Sequence, residues 1–294
     1  MVKKKFILNA DDFGLTQAHN QAVWEGYNNG FLTSASLCAN GEAYENAIHD
    51  ILPDCPNLGL AAHLNIMEGK PLTHCPLLTN VNGEFNSSYQ YLVFNQNKKE
   101  LLFQIEKEFR AQIEKILQDV KIDHLDSHVH THAIPPIFDI TCKLAKEYGL
   151  KYVRTQYEEL YFIPKSKKYL TLNYPLNLVK IALLQFFTKI NRKTLEKYGL
   201  KTNDYIIGVG FTGMMDSDAI HYGLEVLEND CVAEALIHPC KYSTSVQNSH
   251  TKEFEITQDM QLKATISRLG FDLANYKNLG LKSKKFCKML RLTI

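Results

Sequence analysis

Short apolar runs alternate along this chain with longer stretches of helical spacing. "KFILNA" is of strand length and almost wholly apolar, which predicts a strand buried on both faces. "TQAHNQAVWEGYNNG" follows it, with Thr16 as a helix cap, Ala18, Val23 and Trp24 at helical spacing, and Gly30 as a stop. Further strand-like runs are "TSASLCAN", "LGLAAHLN" (58 to 65), "IDHLDSHVH" (122 to 130), "KYVRT" (151 to 155), "DYIIGVGFT" (204 to 212) and "CVAEALIHP" (231 to 239). The clearest helix among the intervening stretches is "KKELLFQIEKEFRAQIEKILQDV" (98 to 120). Strand then helix, repeated, predicts parallel strands joined by crossover helices, hence an α/β fold that is either a barrel or an open doubly wound sheet. With no internal repeat, low-complexity tract or obvious linker, residues 1–294 read as a single domain.

Acidic and imidazole side chains fall where these strands end. Asp11 and Asp12 close the first strand, His63 closes "LGLAAH", Asp126, His128, His130 and His132 close "IDHLDSHVHTH", and His238 closes "VAEALIH". The carboxyl ends of parallel strands are where α/β proteins assemble their sites. Two adjacent carboxylates repel each other unless a cation lies beside them, and a divalent metal is the simplest such cation. Neighbouring strand residues also face opposite ways, which leaves Asp11 and Asp12 free to do different work. In "DSHVHTH" the Asp and His residues are separated by two and share a face while the chain stays extended. An Asp plus two His set suits zinc, manganese, iron or nickel and leaves positions open for water and substrate, as a hydrolytic site needs.

Other readings of the same residues stand beside this one. An aspartate at a strand end serves equally as an Asx turn or helix cap. His130 and His132 lie too far along one strand to reach the same ion as His128, so they are expected to support the ligands or contact substrate. His124 is expected to face the other way or to be structural, and His19, His49, His74, His221 and His250 to be surface or packing residues.

Charge and cysteine content narrow the setting. Lys plus Arg number 33 against 32 Asp plus Glu, a net charge of +1, so no global electrostatic case for nucleic acid exists. In "MVKKKFILNADD" the apolar stretch is broken by Asn9 before it reaches signal-peptide length, so export is not expected. The 7 cysteines are scattered, with no CxxC pair, as expected of a reduced, cytoplasmic protein without a disulfide framework.

"LNADDFGLT", "TSASLCANG", "HLNIMEGKPL", "HLDSHVHTHAIP" and "EALIHP", in this order, resemble the YdjC/ChbG-like carbohydrate deacetylases, with a weaker echo in "LKATISRLGFDLANY". The resemblance implies a (β/α) barrel, with room for distortion, one divalent metal ion (magnesium or zinc), and hydrolysis of the N-acetyl group of an amino sugar. Carried over by motif, Asp12, His63 and His128 are the implied metal ligands, Asp11 the general base and His238 the general acid. Arg154 is expected to bind a sugar hydroxyl, to orient Asp11 or to form a structural salt bridge. The family often has "HPG" where this chain has "HPC", which questions the backbone at Cys240, because glycine adopts positive φ at little cost and cysteine does not.

A helical or loop insertion is expected at about 156–203. The apolar and then lysine-rich stretch within 173–213 suggests a core helix, a dimer interface or a peripheral lipid contact. Loops 66–97 and 156–175 are expected to set the substrate. A homodimer is the expected assembly. The competing functional readings are a metal-dependent phosphoesterase, which needs more metals, and a non-catalytic carbohydrate-binding protein.

Overall fold

The structure is a computed structural model that describes residues 4–164, 167–169, 173–227, 230–242 and 248–279. Strand β1 (Lys4–Phe13) is buried from Phe6 onward. Phe6, Leu8 and Ala10 join the large core under the helices, while Ile7 packs with Tyr152 and Tyr276 in a separate cluster. Burial on both faces is what the apolar run demanded, and it means that helices lie outside the sheet and side chains fill its inside.

In chain order there follow α1 (Gln17–Asn28), β2 (Ser34–Leu37), the short α2 (Tyr44–Asn46), β3 (Gly59–Leu64), α3 (Tyr89–Phe94), α4 (Lys99–Asp119), β4 (His124–Ser127), α5 (Pro135–Glu147) and β5 (Tyr152–Val153). The second half comprises α6 (Asn173–Tyr198), β6 (Tyr205–Ile207), α7 (Ser217–Glu225), β7 (Val232–Ile237), α8 (Ser249–Gln258), α9 (Met260–Arg268) and β8 (Phe271–Leu273). The strands lie in the order β5, β4, β3, β2, β1, β7, β6, with β8 added to the start of β1. Every ladder is parallel.

The two ends of this sheet meet. Val153 N–H donates to Lys201 O at 3.0 Å, Lys201 N–H to Lys151 O at 2.8 Å, and Ile206 N–H to Tyr157 O at 2.8 Å. These few bonds form a short seam between β5 and β6, so the α/β fold is a distorted (β/α) barrel and not an open sheet. Helix α6 lies within the stretch expected to hold an insertion, and its Ile181 and Leu184 pack on Ala133, Ile206, Val209 and Leu236.

Local signals explain several element ends. Thr16 caps α1 and accepts from His19 N–H at 3.4 Å. The helix stops at Asn28, before Gly30, and Gly30 answers a different need: a Cβ there would lie 2.1 Å from Thr257 O.

One local expectation is corrected. "DSHVHTH" does not stay extended: β4 ends at Ser127, and Val129 (φ 52°) and His130 (φ 57°) take the left-handed conformation. The shared face of Asp126, His128, His130 and His132 therefore does not form. Of the two readings of His124 the structural one holds: it is fully buried on the same side of β4 as Asp126, its ring stacked on Tyr276 at 3.9 Å.

Candidate metal centre and active site

The adjacent aspartates sit on a bulge. Between the pairs Ala10↔Ala35 and Phe13↔Leu37, β1 spans one residue more than β2. Asp12 absorbs the excess with φ +66°, a conformation that Asp tolerates better than most residues. The strict alternation of a strand is broken there, and both carboxylates are buried, Asp11 against Arg154 and Asp12 against His63 and His128. The loop after β2 packs close beneath: a Cβ on Gly41 would lie 2.1 Å from Gly14 O, so the glycine of "CANG" permits the approach to "DDFG".

Three of the strand-end residues converge. Asp12 Oδ1 lies 2.8 Å from His128 Nδ1 and 3.4 Å from His63 Nε2. Asp12, His63 and His128 each offer a ligand atom, all within 4.8 Å of one another, a spacing that suits one ion. His63 turns its other nitrogen, Nδ1, to Asp126 Oδ1 at 2.8 Å. A second grouping, Asp11, His63 and Asp126, is equally close, but Arg154 already occupies it.

Arg154 lies fully buried inside the barrel. Its Nη1 and Nη2 donate to the two oxygens of Asp11, each at 2.9 Å, and Nη2 also pairs with Asp126 Oδ2 (2.7 Å) and Glu234 Oε1 (2.6 Å). Asn9 Nδ2 donates to Asp11 Oδ1 at 2.7 Å, Ser36 Oγ to Asp126 Oδ2 at 2.6 Å, and Tyr276 Oη to Glu234 Oε2 at 2.6 Å. Arg154 therefore orients Asp11 within a buried ion network, and the expectation that it touches a sugar is corrected, since none of it reaches solvent.

The charges do not balance without further cations. Asp11, Asp12, Asp126 and Glu234 are all buried, against one guanidinium. The carboxylates in turn favour the protonated forms of His63 and His128, against the effect of burial. Burial works against a charged His63, yet Asp126 and Asp12 push its pKa up to about 10. Burial likewise opposes ionisation of Asp12, but hydrogen bonds from His128 and His63 hold its pKa well below the usual carboxylate value. A divalent ion between these groups would replace the protons with fixed charge, so the donor set fits a metal.

His238 follows β7. Burial lowers its pKa, and Glu253 with the two aspartates more than reverses this, raising it to about 9. Glu253, on α8, accepts from His238 N–H at 2.5 Å and lies 3.3 Å from its Nδ1. His250 Nδ1 lies 2.8 Å from His238 O, and His19 meets the His250 ring edge-on at 6.1 Å. His19 and His250, expected to be surface or packing residues, pack edge-on as a continuation of the imidazole cluster.

The remaining expected substrate contacts are turned inward. His132 is fully buried, with Nδ1 bonded to Ser127 Oγ and Nε2 at 2.9 Å from Arg154 O, so its ring is unavailable to a sugar. His130 is 5% exposed, and no hydrogen bond reaches its Nδ1. Cys240 is buried and its φ is not positive, so the missing glycine leaves no backbone strain. Cys287 lies outside the described residues.

Residues 5–268 match the family model described as YdjC-like protein. The chain belongs to the YdjC-like family. This YdjC-like chain is 37% identical over 146 residues to a carbohydrate deacetylase of Brevibacillus brevis, a match covering 49% of the chain and 56% of that relative. It is 30% identical over 185 residues to a carbohydrate deacetylase of Clostridium beijerinckii, covering 61% of the chain and 73% of that relative. The matched region thus spans little more than half of the first relative's length. The fold is similar to the crystal structure of a protein from Enterococcus faecalis V583 provisionally described as a cellobiose-phosphate cleavage protein, with a TM-score of 0.72, 23% identity, and coverage of 95% of this chain and 100% of that one.

Sequence reasoning passed over Glu68, Glu253, Glu234 and Tyr276. Glu68 carried a usable signal, since it follows His63 by five residues, in the loop that leaves β3. Glu253, Glu234 and Tyr276 meet their partners only through tertiary packing.

Proposed function

We propose that this YdjC-like chain is a metal-dependent carbohydrate deacetylase that hydrolyses the N-acetyl group of an amino sugar, free as in a chitooligosaccharide or carried on a lipid. The observation that carries the reading is the convergence of Asp12, His63 and His128 beside a buried base candidate, Asp11, and an acid candidate, His238. The carbohydrate deacetylase relatives support the substrate class. Asp12, His63 and His128 would hold the ion, and two imidazoles with one carboxylate favour zinc over magnesium, which prefers oxygen ligands throughout.

When bound, a divalent ion there supplies Lewis acidity that polarises the acetyl carbonyl and makes water more acidic. The chain's own groups handle the protons. Asp11, fixed at both oxygens by Arg154, accepts the proton of the attacking water through the lone pairs left free of those bonds. His238, its pKa raised to about 9 chiefly by Glu253 once burial is overcome, carries a proton at neutral pH for the departing amine. The Glu253 contact to Nδ1 leaves Nε2 free to deliver it.

A two-metal phosphoesterase is disfavoured because the guanidinium of Arg154 fills the second carboxylate and imidazole grouping. A purely binding role leaves a buried base and a protonated imidazole beside a cation site without a task. The test is acetate release from a panel of N-acetylated sugars by metal-stripped protein reloaded with single divalent ions, with Asp11→Asn as control. Metal-dependent release that the control lacks supports the reading. One bound metal and no release from any free or lipid-linked sugar overturns it.

We also propose that α6 pairs with a second copy of the chain. Leu176, Val179, Leu183, Phe186 and Ile190 are exposed and follow one another at steps of three and four residues, the seam of a helix pair with a period of about 3.5. No helix among the described residues is long and apolar enough to cross a membrane. A narrow seam also suits a facing helix better than a lipid surface, which takes a broader apolar face. Sedimentation of the wild type as a dimer and of Phe186→Glu as a monomer is the expected result, and a monomeric wild type removes the pairing.

A further inference from the structure

His63 lies on β3 and His128 directly after β4, yet each ring lies between Asp12 and a second carboxylate. His63 directs Nε2 to Asp12 and Nδ1 to Asp126. His128 is inverted: its Nδ1 is 2.8 Å from Asp12 Oδ1, and its Nε2 is 3.5 Å from Glu68 Oε2. Asp126 is locked inside the barrel, whereas Glu68 stands at the mouth with its side chain 58% exposed.

The turn that carries Glu68 is built to hold it there. Asn65 Oδ1 accepts from Met67 N–H (3.0 Å) and Glu68 N–H (3.1 Å). Asn65 Nδ2 and Asn40 Nδ2 both donate to Glu68 O, at 2.9 and 3.0 Å. Gln112 on α4 clamps the backbone of Asn65, accepting from its N–H at 2.8 Å and donating to its carbonyl at 2.6 Å. These bonds fix the backbone beneath the carboxylate.

We propose that Glu68 is a positioning residue for His128, accepting its Nε2–H so that the Nδ1 lone pair faces Asp12 and the ion. An imidazole that ligates through one nitrogen needs its other N–H held, because that bond sets the tautomer, the ring angle and the basicity of the donor. His63 and His128 then form a pair of opposite tautomers, one ligating through Nε2 with Asp126 behind it, the other through Nδ1 with Glu68 behind it. The inference rests on the metal-dependent reading above and adds a residue to it. Its consequence is that β3 and the loop after it contribute both a ligand, His63, and the support for a ligand that follows β4.

The test compares zinc affinity, measured by competition with a chromophoric chelator, for wild-type protein, Glu68→Ala and Glu68→Gln, each first shown by thermal melting to be folded. Glu68→Ala is expected to bind zinc ~10- to 100-fold more weakly, with Glu68→Gln, which keeps an acceptor oxygen, restoring part of the loss. Nitrogen-15 spectra of the zinc-loaded wild type should show His128 protonated at Nε2. Affinity in Glu68→Ala within about twofold of wild type, or zinc on Nε2 of His128, overturns the role of Glu68 while leaving the metal site standing. A folded wild type that takes up no zinc or other divalent ion overturns the metal reading and this inference with it.

Discussion

Arg154 grips Asp11 through both terminal nitrogens, each 2.9 Å from a different carboxylate oxygen, at a depth solvent does not reach. The planar fork of arginine matches a carboxylate in a way that lysine cannot. The pair sets the direction from which Asp11 receives a proton, and the same guanidinium neutralises part of the charge of Asp126 and Glu234.

Replacing Arg154 by Met leaves three buried carboxylates without their partner. The protein should lose at least about 3 kcal/mol of stability, read from urea denaturation at neutral pH. Arg154→Lys keeps the charge but not the fork, and should recover part of the stability while deacetylation stays impaired.

Asp11→Asn separates the proposed base from the metal ligands. Turnover should fall by ~100- to 10,000-fold with zinc affinity little changed, measured by acetate release and chelator competition on one preparation. A parallel loss of zinc would place Asp11 among the ligands instead.

His63→Ala and His128→Ala should each abolish stoichiometric metal uptake, scored by elemental analysis after dialysis. Either change removes one of the three donors that converge in the Asp12, His63 and His128 group. Acetate release should vanish with the metal and not return at high zinc.

His238 in metal-free protein should titrate near pH 9, above its ordinary 6.5, when followed by NMR. Because the folded value is raised, its contribution to stability is fully present below pH 6.5 and is lost as pH climbs through about 9. Glu253→Gln should bring the midpoint down, as the carboxylate is the main group that overcomes burial.

His132 should behave in the opposite sense. Burial lowers its pKa to about 4, so the ring stays neutral in the folded protein while the unfolded chain takes up a proton below 6.5. Its contribution is complete above pH 6.5 and is lost as pH falls towards 4, on the order of 3 kcal/mol across that window. An NMR titration in which the ring protonates near pH 6.5 would remove this component of acid sensitivity.

Sequence alone determined the alternation of strand and helix, the placement of Asp11, Asp12, His63 and His238 at strand ends, and the motifs that marked the family. These are local properties, because burial on one face or two writes its period directly into neighbouring residues. Tertiary structure chose the barrel over the open sheet, since the bonds from Val153 to Lys201 and from Ile206 to Tyr157 join segments about fifty residues apart. It also decided what the side chains do. The bulge at Asp12 and the left-handed turn at Val129 and His130 defeat the period-of-two reading, so His128 meets Asp12 while His132 turns into the core. Arg154 meets Asp11 across 143 positions of sequence, and no periodicity encodes such a meeting. Its physical origin is the need of buried charges for partners, and only the closed barrel shows which partners are in reach.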